Sequence, residues 1–360
     1  MSAPDVAIAG GGIVGTALAA LLAEAGASVR LYEREGIAAA ASGRNSGVLQ
    51  HPLDEPLTGV HERSLALYAT LGHGFAYPAE PCGVLVVSED PEPLEREVAE
   101  LAARFPEVNP ELLDGAGLRA AEPGLGDGVA AYRLETGRPV PPASAAAAWA
   151  ERARAAGAEL QVGVGVEGVE VTDGRATGVR TAAGFEPAGA VALAAGPWTA
   201  ELVPAPVAPL WGVNVEVRLP EPPRHVLEQS GIDALIGPGG GLRSLFSIVT
   251  AGGVSAVGST FLPDEPDPAR LAPVLLERGA RFLPALAAVG AFSARACPRP
   301  QSADGRPLLG PHREIERLHL ATGHGAWGIS LGPGSAELVA AAILGDGPPI
   351  PPELAANRVS

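Results

Sequence analysis

The chain has 360 residues, 47% of them hydrophobic, and a formal net charge of −16. That length allows a large core, in two domains or one elaborate one, while so acidic a chain is a poor partner for nucleic acid or an anionic membrane. Its 25 basic side chains are all arginine, so no lysine can act as base, Schiff-base former or oxygen-activating cation, although codon bias toward Arg, Ala, Gly and Pro is the plainer source of that composition.

A short apolar run, Val6 to Ala9, predicts a strand, and Gly10-x-Gly12-x-x-Gly15 follows it directly. A helical pattern comes next, then a second apolar run, Ser28 to Tyr32, ending at Glu33. Strand, glycine turn, helix and strand, with an acid about 20 residues past the glycines, form a dinucleotide-binding fingerprint. Gly10 permits the tight turn, Gly12 lets a pyrophosphate approach the backbone, and Gly15 lets helix and strand pack closely. The helix N-terminus, at Ile13 and Val14, offers free N–H groups to phosphates, and Glu33 can accept hydrogen bonds from ribose hydroxyls. The motif does not choose between NAD and FAD. Residues 6 to 23 are apolar enough to pass for a signal peptide or membrane span. The leading MSAPD carries no positive side chain and Glu24 follows, so the run reads as a buried strand and helix with no membrane span.

A small-residue loop, Gly36 to Gly47, precedes a predicted helix over Leu57 to Leu71. Val84 to Ser88 reads as a strand and Glu92 to Arg104 as an amphipathic helix with an acidic start. After the proline break at Pro139 to Pro142, Ser144 begins a helix closed by Gly157. Strands are expected over Leu160 to Val171, Thr177 to Thr181 and Ala190 to Ala194. From Leu210 to Val257 the pattern is β-like, with Gly237 to Gly241 as a hairpin loop. Helices are expected over Ala269 to Leu283 and Pro333 to Leu344, with a strand at Leu318 to Ala321 between them. The order predicts an α/β fold, a Rossmann-like cofactor domain into which β-rich material is inserted. The expected divisions are 1–75, 140–210 and 293–360 for the cofactor domain, and 76–139 with 211–292 for the substrate domain. Cys82 and Cys297 make neither a disulfide framework nor a zinc site and fit a reducing cytoplasm.

Five blocks together resemble the D-amino-acid oxidase superfamily of FAD-dependent oxidoreductases, which includes glycine and sarcosine oxidases and 2-hydroxyglutarate oxidases. They are the fingerprint with Glu33-Arg34; Ala41 to Val48; Val166 to Val179; Ala194 to Trp198; and Arg299 to Gly310 running into the late glycine loop. The resemblance covers nearly the whole chain and implies FAD as cofactor. It places Ser42, Gly43, Arg44, Asn45, Ser46, Gly47 and Val48 along the pyrophosphate and flavin. It places Val166 at the adenine, and Ala195, Gly196 and Trp198 beside the cofactor. It closes the loop holding Gly325, Ala326, Trp327, Gly328, Ile329 and Ser330 over the flavin, ahead of a helix that can offset charge on the reduced ring.

The same resemblance makes Arg299 the substrate-carboxylate residue, as a guanidinium fork matches a carboxylate; Arg306 reads as structural. Cys297 stands seven residues before Asp304, the spacing at which the sarcosine oxidase branch joins flavin to cysteine, and otherwise reads as a small buried residue. His51, after GRNSGVLQ, reads either as a base near the flavin or as a polar anchor. His324 divides between loop packing and active-site duty, and Trp327 between substrate lid and packing. His61, His73, His225, His312 and His319 read as surface or core. The leading expectation is oxidation of the Cα–N bond of a small amino acid or secondary amine: hydride passes to flavin N5, the imine is hydrolysed, and electrons go on to oxygen or another acceptor. The alternatives are a 2-hydroxy-acid oxidase or dehydrogenase with His51 as base, and a flavoprotein subunit or biosynthetic amine oxidase with an unusual substrate. A homo-oligomer is also admitted.

Overall fold

A computed structural model describes residues 3–72, 75–231, 233–235 and 242–358. His73 and the Gly237 to Gly241 loop lie outside the described residues.

The strand Val6–Ala9 is buried on both faces and sits between two parallel neighbours, Ala190–Leu193 and Val29–Glu33. Edge to edge, its sheet runs Leu308–Pro311, Leu318–Thr322, Ala190–Leu193, Val6–Ala9, Val29–Glu33 and Glu159–Val162. Only Leu308–Pro311 is antiparallel to its neighbour. Alternation divides the two faces. Val6, Ile8, Leu31 and Ala192 join the core shared with the helices, whereas Ala7, Ala9, Val191 and Leu193 join a core with residues of the small sheet Val166–Thr172, Arg175–Thr181 and Gly184–Pro187. Helices Ile13–Glu24, Pro142–Ala155 and Gly328–Leu344 pack together on the first face, and Glu55–Ala69 packs on the last of them. Ile13–Glu24 is apolar almost all round because it is covered almost all round.

The late helix begins earlier than the sequence suggests. Pro333 reads as a first helical residue, yet the helix starts at Gly328 and holds Pro333 in its interior. A proline there removes one backbone donor, leaving the carbonyl four residues back without its partner. That carbonyl belongs to Ile329, and the Tyr68 hydroxyl donates to it at 2.7 Å. Two more residues of Glu55–Ala69 complete the repair. Ser64 Oγ accepts the Gly334 N–H at 2.9 Å, and His61 Nδ1 lies 3.3 Å from Ser330 O. Tyr68 is fully buried, and burial pushes its pKa well up, so it stays a donor.

A second, nine-stranded sheet runs Ser293–Ser302, Val207–Val217, Val254–Thr260, Leu242–Ala251, Val226–Gln229, Val84–Ser88, Ala130–Leu134 and Glu111–Leu113, with Asp233–Leu235 paired to Leu242–Ala251. Its strands span 84–134, inside the expected insertion 76–139, and 207–302, which begins before and ends after the expected 211–292. Val207–Val217 and Ser293–Ser302 pair antiparallel from Val207↔Ser302 to Glu216↔Ser293, and this long ribbon carries the sheet to the cofactor end of the first one. Val213, Val215, Leu227, Ile248 and Val257 face the helix Pro268–Ala280. Residues 325–344 are long and apolar enough to cross a membrane by length and composition, but 56% of that stretch is buried inside the fold, as a core helix would be.

Tyr68→Phe removes only the hydroxyl that serves Ile329 O. Leaving that buried carbonyl unpaired is expected to cost about 1–3 kcal/mol, read as a lower denaturant midpoint at unchanged slope.

Candidate active site

The C-terminal ends of Val6–Ala9, Val29–Glu33 and Ala190–Leu193 open into an elongated cavity with about 1230 Å³ of empty space, its mouth included. Gly10, at φ +112°, makes the turn out of the first strand. A Cβ on Gly10 would meet Ala194 O at 2.3 Å, and one on Gly15 would meet Gly10 O at 1.9 Å. These two glycines let strand, helix and strand close up at the floor of the cavity. Ser42 Oγ accepts the Ile13 N–H at 2.9 Å. The Val14 and Gly15 amides in the same first turn have no intrahelical acceptor.

Glu33 is pinned by backbone at the cavity wall. One carboxylate oxygen accepts the Gly11 N–H at 2.7 Å and the other accepts the Glu35 N–H at 2.8 Å, leaving lone pairs on both for ligand hydroxyls. Beside it, the Arg34 guanidinium lies 4.0 Å from the centre of the Trp198 ring. Val166, Ala195 and Gly196 line the same end.

The Ser42–Val48 loop contributes Ser42 and Asn45 to the wall; Gly43, Arg44, Ser46, Gly47 and Val48 stand behind it. Asn45 shapes the loop, donating to Ala41 O and Ser42 O and accepting the Gly47 N–H. The large sheet fastens it. Arg295 donates to Arg44 O at 3.0 Å and Asn45 O at 2.8 Å, and Asn214 donates to Arg44 O at 2.9 Å. Arg295 and Asn214 carry no sequence motif and were not readable as part of the site.

Arg299 lies in the wall with its guanidinium reaching across the sheet. Gly212 makes the path, since a Cβ there would meet the guanidinium at 2.2 Å. Nη1 donates to Thr260 O at 2.8 Å, Nη2 donates to Ser259 Oγ, and the Phe261 ring centre is 5.0 Å away. All these partners are neutral, and among the described residues no carboxylate pairs with Arg299. Burial draws its pKa down. Cys297, two residues earlier on the same strand, also lines the cavity; its buried thiol is pushed up by burial, against the pull of Arg299, Arg295 and Arg44.

In the late glycine loop, His324, Gly325, Ala326, Gly328 and Ile329 line the wall. His324 is 2% exposed, Nε2 has no partner among the described residues, and burial pushes its pKa down to about 4, so the ring is neutral near pH 7. Trp327 is not in the wall and packs against the helix core; Ser330 stands behind Ile329. The structure does not bring His51 into the wall either. Its Nδ1 accepts the Leu53 N–H at 3.1 Å, and Nε2 is 3.3 Å from both Thr58 Oγ1 and Glu107 Oε1. Both ring nitrogens are engaged there, which suits an anchor rather than a base.

An elongated cleft at a strand–glycine–helix turn, with an acid at the end of the second strand, defines a dinucleotide-binding protein of the Rossmann type. A family model, DAO: FAD dependent oxidoreductase, matches residues 5–342, and the chain belongs to that family. The bifunctional protein ThiO/ThiG of a Nostoc species is 32% identical over 93% of this chain, and the chain spans about half, 52%, of that relative. Glycine oxidase of Geobacillus kaustophilus is 29% identical over 93% of this chain and 92% of its own. The solved glycine oxidase of Bacillus cereus superposes with a TM-score of 0.83 at 25% identity, covering 96% of this chain and 98% of that one.

The residues present fit FAD. The glycine crossing leaves room for a pyrophosphate at the helix N-terminus, Glu33 keeps acceptors for a ribose, and the unpartnered His324 Nε2 awaits a ligand atom or water. Glu33→Gln replaces one oxygen with an amide that opposes a backbone N–H. FAD affinity of the apoprotein is expected to fall about tenfold or more, the worth of one charged hydrogen bond. Titration with FAD followed by flavin fluorescence measures it, and an unchanged Kd would assign Glu33 to the turn alone.

Proposed function

We propose that the protein oxidises the Cα–N bond of a small amino acid or secondary amine, with the substrate carboxylate on Arg299. The observation that carries this reading is a deep guanidinium in the wall of the cofactor cavity with only neutral partners. A buried cation without a counterion is costly, and a bidentate carboxylate removes that cost. Glycine oxidase and the ThiO/ThiG proteins among the relatives fit the same chemistry.

FAD, when bound, supplies the two-electron acceptor. The protein's own part is to hold, orient and keep dry. Arg299 sets the carboxylate end of the substrate. His324, neutral, can accept or donate one hydrogen bond without adding charge. The late helix ends its N-terminus at the cavity, where its dipole favours negative charge. Among the described residues no acid–base pair is aligned on the cavity, so the proton of the substrate ammonium leaves to solvent or to a carboxylate near the amine.

We further propose that FAD is held without a covalent bond. The Cys297 thiol is favoured over the thiolate by burial. Two free cysteines suit a reducing cytoplasm, and the electron acceptor is oxygen or another oxidant.

The rival reading, a 2-hydroxy-acid oxidase, drew on His51 as base, and that ring is engaged with Leu53, Thr58 and Glu107. Anaerobic mixing with amino acids and with 2-hydroxy acids separates the two. Amines are expected to bleach the flavin; bleaching by hydroxy acids alone would sink the amine reading. Arg299→Gln is expected to raise KM about 100-fold, the loss of a charge-assisted pair worth about 3 kcal/mol. Acid denaturation is expected to release all the yellow colour from the protein, whereas colour kept by the pellet would establish a link through Cys297.

A further inference from the structure

The face of the nine-stranded sheet that carries Arg299 carries a second, opposite charge. Residues directly paired across a sheet share a face. Cys297 pairs with Gly212, Asn214 with Gly258, Gly258 with Ser247, and Ser247 with Glu228. Cys297 and Arg299 are two apart on one strand, as are Gly212 and Asn214 on the next, so one row runs from the arginine strand to Glu228. The Arg299 guanidinium already rests over Ser259 and Thr260. Two strand spacings, about 10 Å, therefore separate it from the strand of Glu228. The residues between are small. Gly258 has no side chain and Ser247 a short one, and the Asn214 amide oxygen lies over Gly258, where a Cβ would meet it at 2.6 Å.

Glu228 sits deep in the molecule yet is only partly covered. Its carboxylate accepts one hydrogen bond, from Gln50 Nε2 at 3.1 Å. The Gln50 Oε1 is buried and accepts none. Gln50 is tied to the cofactor cavity, because its N–H donates to Ser330 Oγ at 3.1 Å, next to the wall residue Ile329. Among the described residues these acceptors meet one hydrogen-bond donor, Gln50 Nε2, and Gln50 Oε1 meets none. An ammonium group brings three donors and a positive charge, and a hydroxyl brings one donor and none.

We propose that Glu228 and the Gln50 amide oxygen form the pole that receives the substrate's amino group, opposite Arg299, so that the site reads zwitterions and discriminates against 2-hydroxy acids. This rests on the Arg299 reading above. A small amino acid with a hydrogen bond of about 2.8 Å at each end has a length of the order of the two strand spacings, about 10 Å, between the guanidinium and the strand of Glu228. Burial pushes the Glu228 carboxyl up, a cost that an ammonium beside it removes. The same carboxylate stands ready to take the ammonium proton.

The test uses the FAD-loaded enzyme under anaerobic conditions, with binding read from perturbation or bleaching of the flavin spectrum. The probes are glycine, sarcosine and D-alanine, with acetate, glycolate and propionate as amine-free counterparts. Glu228→Gln is expected to weaken the amine probes at least tenfold and to leave the amine-free acids within about twofold. Gln50→Ala, a milder change, is expected to shift the same ratio in the same direction by about threefold. Arg299→Gln is expected to weaken both sets together. Equal loss of both sets in Glu228→Gln, or no loss for amines in either variant, overturns the proposal. Unchanged binding of the amine-free acids in Arg299→Gln overturns the carboxylate reading instead, and a wild type that binds none of the six probes overturns both.

Discussion

A proline inside the helix that faces the cavity is the constraint around which this structure is arranged. Pro333 breaks the hydrogen-bond ladder in the second turn of Gly328–Leu344, at a depth where water cannot repair it. One stripe of a neighbouring helix does so instead, through Tyr68, Ser64 and His61. Because those groups are supplied, the helix can extend back to Gly328 and present its N-terminus to the cofactor. The same first turn takes the Gln50 N–H on Ser330 Oγ, so the repaired helix also fixes Gln50.

The cavity itself depends on close approach. Gly10 and Gly15 allow backbone to meet backbone where any Cβ would collide, and that contact lets three parallel strand ends and one helix start share a single small region. Polar groups at this junction are then held by backbone rather than by flexible partners: Glu33 by two N–H groups, and the Ser42–Val48 loop by Arg295 and Asn214. A long cofactor bound at many such points is positioned by rigid elements, which is what hydride-transfer geometry demands. The large sheet carries a cation, Arg299, on one strand and an anion, Glu228, four strands away.

Much of this was legible along the chain. The fingerprint, the buried strands and the α/β class are carried by local periodicity and by glycines at fixed offsets, and the structure places Arg299, His324, Glu33, Val166 and Trp198 on one cavity. Other features were not. His51 and Trp327 are adjacent in sequence to the cofactor loops, but adjacency does not set where a side chain points, and both turn into packing. The late helix begins five residues before the proline that marks its start in the sequence, because the carbonyl that the proline strands, Ile329 O, is served by Tyr68, 261 residues from Ile329.

The sequence by itself determined the cofactor-binding turn, the order of elements and the family, because each is written in neighbouring residues whose backbone geometry follows from their own chemistry. Only the tertiary structure decided which charges meet. Gln50 and Glu228 lie 178 residues apart with no shared motif, and Arg295 and Asn214 reach a loop from far along the chain. Their convergence depends on sheet register and on which face each residue occupies. A shift of one residue would send every one of those side chains to the opposite face.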